Sequence, residues 1–176
     1  PLYGLKYPEI KFFGQGYIGP VPVPIIITIL IFAVSCYLFY KTKFGRYTVS
    51  IGSNEDAAKL VGINVDRIKI LVFILSGVFC AIAGIILASR SEAAIPTAGN
   101  AYEMDAIAAT VIGGTSMSGG KGNMVGTALG AILMATIKNG LSLLNVNTFW
   151  HQVVIGLFIL FAVALDGFAT KKSEKE

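Results

Sequence analysis

Residues 21–40 read VPVPIIITILIFAVSCYLFY, a run of twenty residues that contains no charged side chain. A helix needs about 20 predominantly apolar residues to cross the hydrocarbon core of a bilayer. The two prolines fall in the first turn, where their missing amide protons would have no intrahelical acceptor. Lys41, Lys43 and Arg46 follow the run directly, and basic residues concentrate on the cytoplasmic side of membranes. The run therefore predicts a transmembrane helix that ends in the cytoplasm.

Three further apolar runs lie at 68–89, 124–144 and 153–168. Apolar residues make up 55% of the chain and are concentrated in runs that a soluble domain would not need. The basic residues lie at the ends of the runs and form no stripe, which argues against a nucleic-acid partner. The chain begins at Pro1 without a signal-peptide pattern, so we expect a piece of a longer protein. These features predict an all-α integral membrane protein, a polytopic helical bundle.

The topology of the second half depends on a weaker segment at 102–117, which has acids at one end and glycines at the other. If this segment crosses the membrane, Lys121 and the basic tail at 171–175 are both cytoplasmic; otherwise the tail is outside. The positive-inside bias favours crossing, as a short or broken helix buried among its neighbours. We therefore expect about five spans within residues 21–176. Residues 1–20 are expected to form an outer loop or a partial re-entrant segment.

Small residues recur every fourth position at Ser118, Gly122, Gly126 and Gly130. Such rows allow helix backbones to approach closely in a bilayer, where the hydrophobic effect does not drive helices together. We expect Gly126 and Gly130 to serve helix packing. This pattern says nothing about what the protein carries or binds.

The cytoplasmic loop 48–66 contains the stretch SIGSNEDAAKLVGINV at 50–65. Ser53 is expected to cap a short helix with Asp56 completing a capping box, and Gly62 is expected to end it. A helix of about two turns is too short to be stable alone in water. Its apolar residues therefore either dock onto a partner or lie against the bundle or the lipid headgroups, and physical reasoning leaves these alternatives open.

The order acid–Ala–Ala–x–x–x–Gly at 56–62, between two predicted spans, resembles the coupling-helix loop of ATP-binding-cassette (ABC) importer permeases. In that family the loop fits a cleft in the ATPase subunit and transmits its motion. The resemblance implies that the ATPase-coupling residues are Asn54, Glu55, Asp56, Ala57, Ala58, Lys59, Leu60 and Gly62.

Motifs downstream resemble the ribose/galactose/xylose permease family. They are PTAG at 96–99, YEMDAIAA at 102–109, IGGTSMSGGKG at 112–122, NGL at 139–141 and FAVALD at 161–166. The resemblance runs from about residue 14 to 166 and corresponds to the C-terminal half of a family member. Phe149, Trp150 and the FAVALD ending resemble the galactose/methyl-galactoside branch more closely, whereas PTAG and the Gly-Thr-Ser run resemble the ribose branch.

This resemblance implies a transport subunit of the bacterial inner membrane that is not an enzyme. Its expected partners are a second permease copy, an ABC ATPase subunit that binds the ATP, and an external sugar-binding protein that delivers a monosaccharide. No cofactor or metal is expected in the chain itself. The alternative is an ion-gradient-driven secondary transporter, which would place paired carboxylates or broken helices at an ion site. No acid lies in the middle of a predicted span, which counts against it.

The glycine-rich segment at 113–122 does not have the spacing of a phosphate-binding loop. Thr115 stands where the first glycine of that motif would be, and Gly122 replaces the required Ser or Thr after Lys121. We therefore expect a tight cytoplasmic turn, beside the coupling helix. Its glycines are Gly113, Gly114, Gly119, Gly120 and Gly122.

Five polar or aromatic residues are candidates for the translocation pathway. Lys138 lies inside an apolar run, where an ionisable group suggests a cavity, although near a helix end it is expected to reach the headgroups. Asn139 either lines the pathway or makes an interhelical hydrogen bond, and the resemblance favours the pathway. Glu103 and Asp105, next to Tyr102, either line the outer mouth or cap the broken segment; we expect capping.

Overall fold

The computed structural model describes residues 2–3, 8–147, 150 and 152–160. Its helices are α1 (Pro8–Gln15), α2 (Val23–Lys41), α3 (Lys43–Ser53), α4 (Glu55–Leu60), α5 (Val65–Ser91), α6 (Tyr102–Ile112) and α7 (Met124–Leu143). Residues 152–160 are also helical. The strands have two residues each: β1 (Leu2–Tyr3), β2 (Tyr17–Ile18), β3 (Val21–Pro22) and β4 (Ala93–Ala94).

Within the described residues, three helices, α2, α5 and α7, are long and apolar enough to cross a membrane. They coincide with the predicted runs at 21–40, 68–89 and 124–144. Helix α6 has 11 residues, so it is about 16 Å long and shorter than the bilayer core. It ends at Ile112, five positions earlier than predicted, because Gly113 and Gly114 follow. Residues 161–168 of the predicted last span and the basic tail lie outside the described residues.

The N-terminal segment, predicted as an outer loop, contains helix α1 and a small β2–β3 hairpin. Helix α1 packs on α5 at Gly14, where a Cβ would lie 2.5 Å from the backbone nitrogen of Arg90. Lys11 Nζ of α1 also donates to Oε2 of Glu92, the C-cap residue of α5, at 2.8 Å. These contacts explain why residues 8–15 are helical: a helix this short is not stable alone, and packing on α5 stabilises it.

The chain divides into two compact units. The first unit comprises Pro1–Thr48 and Ala57–Asn100, and the second comprises Val49–Asp56 and Ala101–Glu176. In the second unit, α6 and α7 pack together around a small core. The core residues are Ala108, Ala109, Met134 and Ile155.

Candidate functional site: a short amphipathic helix, a glycine turn and an interhelical ion pair

Helix α4 occupies six residues in the loop between α2 and α5. Ala58 is buried, whereas Leu60 is 88% exposed and Val61 is 76% exposed. Burying such apolar surface is favourable, at about 25 cal/mol for each Å² removed from water. The helix therefore presents an uncovered apolar edge that a partner surface can bury.

The end of α4 is formed by Gly62, which has a φ of +83°. The amide of Gly62 donates to the carbonyl of Lys59 at 3.0 Å, and the amide of Ile63 donates to that of Ala58 at 3.1 Å. This pair of bonds is the Schellman ending, in which glycine at the left-handed position costs least. The sequence pattern located this end correctly.

The start of α4 differs from the prediction. Ser53 is the last residue of α3, because α3 runs without a break from Lys43 and the Asn54 amide donates to the Ser50 carbonyl at 3.1 Å. Asn54, and not Ser53, is the residue before Glu55 and Asp56 in the first turn of α4. The two acids stand where the helix dipole favours negative charge.

The segment at 113–123 forms a tight turn between α6 and α7 in the second unit. Gly114, Gly119 and Gly120 have φ values of +84°, +84° and +75°, which glycine adopts without steric cost. The amide of Ser116 donates to the carbonyl of Lys121 at 3.2 Å and closes the turn. No glycine–lysine phosphate cradle with a following hydroxyl is present in this turn.

The glycine turn lies against the last turn of α3. A Cβ on Gly119 would lie 2.3 Å from the carbonyl oxygen of Gly52, and a Cβ on Gly52 would lie 3.0 Å from the amide nitrogen of Gly120. These are backbone-to-backbone contacts that leave no room for a side chain. The turn thus touches the chain three residues before α4 begins.

Helices α6 and α7 approach each other through glycines of the small-residue row. A Cβ on Gly126 would lie 1.9 Å from the carbonyl oxygen of Gly113, and a Cβ on Gly130 would lie 2.1 Å from that of Ala109. Both distances are far inside van der Waals contact, so only glycine permits this separation. The close approach brings polar side chains of the two helices together.

Lys138 of α7 forms an ion pair with Asp105 of α6, through Asp105 Oδ2. Lys138 Nζ also lies 5.4 Å from the centroid of the Tyr102 ring, within the range of a cation–π interaction. Both charged side chains are only partly exposed, at 33% for Lys138 and 21% for Asp105. Lys138 is therefore paired with an acid of the neighbouring helix, and its reach to the headgroups stays a prediction.

Neither acid caps α6. The residue before the helix is Ala101, with a φ of +67°, and no side chain bonds the free amides there. Asp105 is drawn into the ion pair instead, because an unpaired lysine between packed helices would be costly. Glu103 and Asn139 are exposed and do not line the pocket beside the ion pair.

A pocket of about 330 Å³ lies between α6 and α7 next to the ion pair. Its lining residues are Tyr102, Asp105, Ala106, Ala109, Ala131, Met134, Ala135 and Lys138. The second carboxylate oxygen of Asp105, Oδ1, is buried and has no hydrogen-bond partner among the described residues. The sequence offered one signal for the pairing: ionisable groups inside a membrane usually pair with each other.

The long apolar helices and the paired charges between packed helices define a polytopic helical membrane protein. The chain belongs to the family described as "Branched-chain amino acid transport system / permease component", which matches residues 3–163. It is therefore a multi-pass protein of the inner membrane.

Named relatives are sugar permeases. The ribose import permease protein RbsC of Bacillus subtilis (strain 168) is 51% identical over 156 residues, covering 89% of this chain and 48% of the relative. RbsC of Haemophilus influenzae is 47% identical, with 90% and 50% covered. The xylose transport system permease protein XylH of Escherichia coli (strain K12) is 47% identical, with 86% and 38% covered.

The chain thus spans about half the length of the ribose permeases it matches. No solved structure matches it significantly. The resemblance to the ribose/galactose/xylose permease family is confirmed at the level of sugar ABC permeases. These relatives give no support to the galactose branch over the others, and they do not favour the ion-gradient-driven alternative.

Proposed function

We propose that this chain forms the C-terminal part of the transmembrane permease subunit of an ABC importer that moves a monosaccharide into the cell. The identity of 51% to a ribose import permease over 89% of the chain carries this proposal. The relatives named above are permeases for ribose and xylose, so pentoses are the first substrates to test. Galactose and methyl-galactoside belong in the same panel.

In this proposal α4 is the coupling helix. Its exposed Leu60 and Val61 supply an apolar edge, and the acids of its first turn supply charge at the opposite end. The partners are an ABC ATPase subunit that hydrolyses ATP, an external sugar-binding protein and a second permease copy. The permease chain itself performs no covalent chemistry: it carries the motion of the ATPase to the pathway.

The energy source can be tested with the full-length permease and its partner subunits in cells. Uptake of labelled ribose, xylose, galactose and methyl-galactoside is measured with ATP depleted and, separately, with the ion gradient collapsed while ATP is kept. We expect uptake to stop without ATP and to survive collapse of the gradient. Uptake that follows the gradient while ATP remains would contradict the proposal and support a secondary transporter.

The docking role of α4 can be tested with Leu60→Ala. Truncating a well-buried interface residue costs about 1–2 kcal/mol or more, so ATPase binding should weaken by about 5–30-fold. Met117→Ala is the matched control, since Met117 is an apolar residue 58% exposed in the glycine turn. Binding of the purified ATPase subunit is measured by titration in detergent. Wild-type affinity of Leu60→Ala for the ATPase subunit would exclude Leu60 from the interface.

A further inference from the structure

The ion pair between Asp105 and Lys138 leaves hydrogen-bonding capacity unused. Asp105 Oδ2 accepts from Lys138, but the buried Oδ1 accepts from no described group. A buried polar atom without a partner costs about 1–3 kcal/mol, and more when it is charged. An ammonium group has three donors, and the structure shows one of them used on Asp105. The pair thus offers an acceptor and further donors at one place.

The pocket beside the pair has the size and lining for a small molecule. Its volume of about 330 Å³ is at the lower end of the 300–1,000 Å³ usual for ligand pockets. Four alanines leave the space open, and the Tyr102 ring and Met134 provide apolar surface. Few polar groups on a mainly apolar wall are the usual composition of a site that orients a ligand.

The charges of the site select among ligand classes. A cation would be attracted by Asp105 but repelled by Lys138, and an anion would be attracted by Lys138 but repelled by Asp105. A neutral ligand with several hydroxyls can donate to Asp105 Oδ1 and accept from Lys138 at once. Hydroxyl groups are both donors and acceptors, so one molecule can use both members of the pair.

We propose that Asp105 and Lys138 form a binding site for a neutral polyhydroxyl ligand in the α6–α7 pocket, with one ligand hydroxyl donating to Asp105 Oδ1 and another accepting from Lys138. This inference rests on the proposed function, because it takes a monosaccharide as the ligand. The site selects uncharged sugars over sugar phosphates, whose added negative charge Asp105 repels. Tyr102 is a positioning residue, since its ring lies under Lys138 Nζ.

A purely structural role of the ion pair predicts a different response to mutation. Replacing a buried ion pair by apolar side chains of similar volume is often neutral or stabilising, whereas removing one partner alone is strongly destabilising. If the ion pair is only structural, the double variant Asp105→Leu/Lys138→Met should therefore keep both stability and uptake. If the pair binds the ligand, the same variant should stay folded but lose uptake. Thr136→Val is the matched control, because the Thr136 hydroxyl donates to the Ile132 carbonyl of its own helix, at 2.8 Å, and Thr136 does not line the pocket.

The experiment measures ATP-dependent ribose and xylose uptake by the full-length permease with its partner subunits in proteoliposomes. The double variant should assemble and hydrolyse ATP like the wild type, but its kcat/KM for uptake should fall about 10-fold or more, as for a lost hydrogen bond to a charged group. Thr136→Val should keep wild-type uptake. Wild-type uptake by the double variant would overturn this inference and leave the proposed function intact. Absence of ATP-dependent uptake in the wild type would contradict the proposed function itself.

A second measurement covers the case in which the double variant fails to assemble. Ala135 lines the pocket, so Ala135→Cys is introduced together with Cys36→Ser and Cys80→Ser, and its labelling by a water-soluble thiol reagent is timed. Ribose or xylose should slow the labelling, and Asp105→Ala, which removes the acceptor, should remove this protection. Labelling unaffected by either sugar would mean that the pocket holds only water, and the inference would be wrong.

Discussion

Replacing Gly119 by alanine tests the contact between the glycine turn and the last turn of α3. Gly119 and Gly114 have the same φ of +84°, so alanine is equally strained at both positions. They differ in their surroundings. A Cβ at Gly114 would have no heavy atom within 4 Å, whereas a Cβ at Gly119 would lie 2.3 Å from the Gly52 carbonyl oxygen. Gly114→Ala is therefore the matched control for Gly119→Ala.

The magnitude follows from two contributions. A left-handed conformation costs a residue with a Cβ roughly 1–2 kcal/mol, and both variants bear this cost. At Gly119 the new methyl group also meets backbone atoms that cannot turn away, and overpacking of this kind adds about 1–3 kcal/mol. Gly119→Ala should therefore destabilise the protein by about 2–5 kcal/mol and Gly114→Ala by only about 1–2 kcal/mol.

The assay compares both variants in the full-length permease with its partner subunits. Thermal unfolding in detergent reports stability, and sugar uptake per ATP hydrolysed in proteoliposomes reports coupling. Because Gly52 precedes α4 by three residues, Gly119→Ala should lower uptake per ATP as well as stability. The reasoning would be refuted if Gly114→Ala were as harmful as Gly119→Ala in both measurements.

Three further predictions concern helix contacts. Gly130→Ala should separate α6 from α7 and destabilise the protein by about 1–3 kcal/mol. The control is Gly140→Ala, whose Cβ would meet nothing within 4 Å, and it should leave the unfolding temperature in detergent at or above that of the wild type. Equal losses of stability in the two variants would contradict the close packing at Gly130. Asn64→Ala should destabilise α5 by about 1 kcal/mol, because the Asn64 side chain accepts the Arg67 amide at 3.1 Å; an unchanged denaturant midpoint would exclude this cap. The hydrogen bonds from Lys11 and Gln15 hold the pKa of Glu92 below its usual 4.5. The stabilisation of the folded state by the ionised Glu92 is therefore present at neutral pH and is lost as the pH falls through the lowered pKa. An acid titration of stability should show this loss in the wild type and less of it in Lys11→Gln.

The apolar runs located the three long helices because spanning length and charge-free composition are properties of a single segment. The end of α4 was also predictable, since Gly62 is favoured at a left-handed position by its own chemistry. Helix α1 was missed because its eight residues have no strong local signal and are held by α5. Tertiary contact overrides local preference for so short a helix.

The candidate site was predictable residue by residue but not as a geometry. Lys138 and Asp105 were both singled out as ionisable residues, yet they are separated by 33 positions and their pairing depends on how closely α6 and α7 approach. That approach is set by Gly126 and Gly130. The small-residue row and the ionisable residues therefore describe one feature, although each looks independent along the chain.

Helix α5 has 27 residues, about 40 Å at 1.5 Å for each residue, so it is longer than a bilayer core of about 30 Å. Its charge-free part, 70–89, has twenty residues, which span about 30 Å. The surplus consists of residues 65–69, which contain Asp66, Arg67 and Lys69, and of residues 90–91, which begin with Arg90. Sliding α5 along the membrane normal would drag one of these charged ends into hydrocarbon, which is costly. This cost opposes displacement of the helix along the membrane normal, whereas rotation about its own axis leaves both charged ends at their depth.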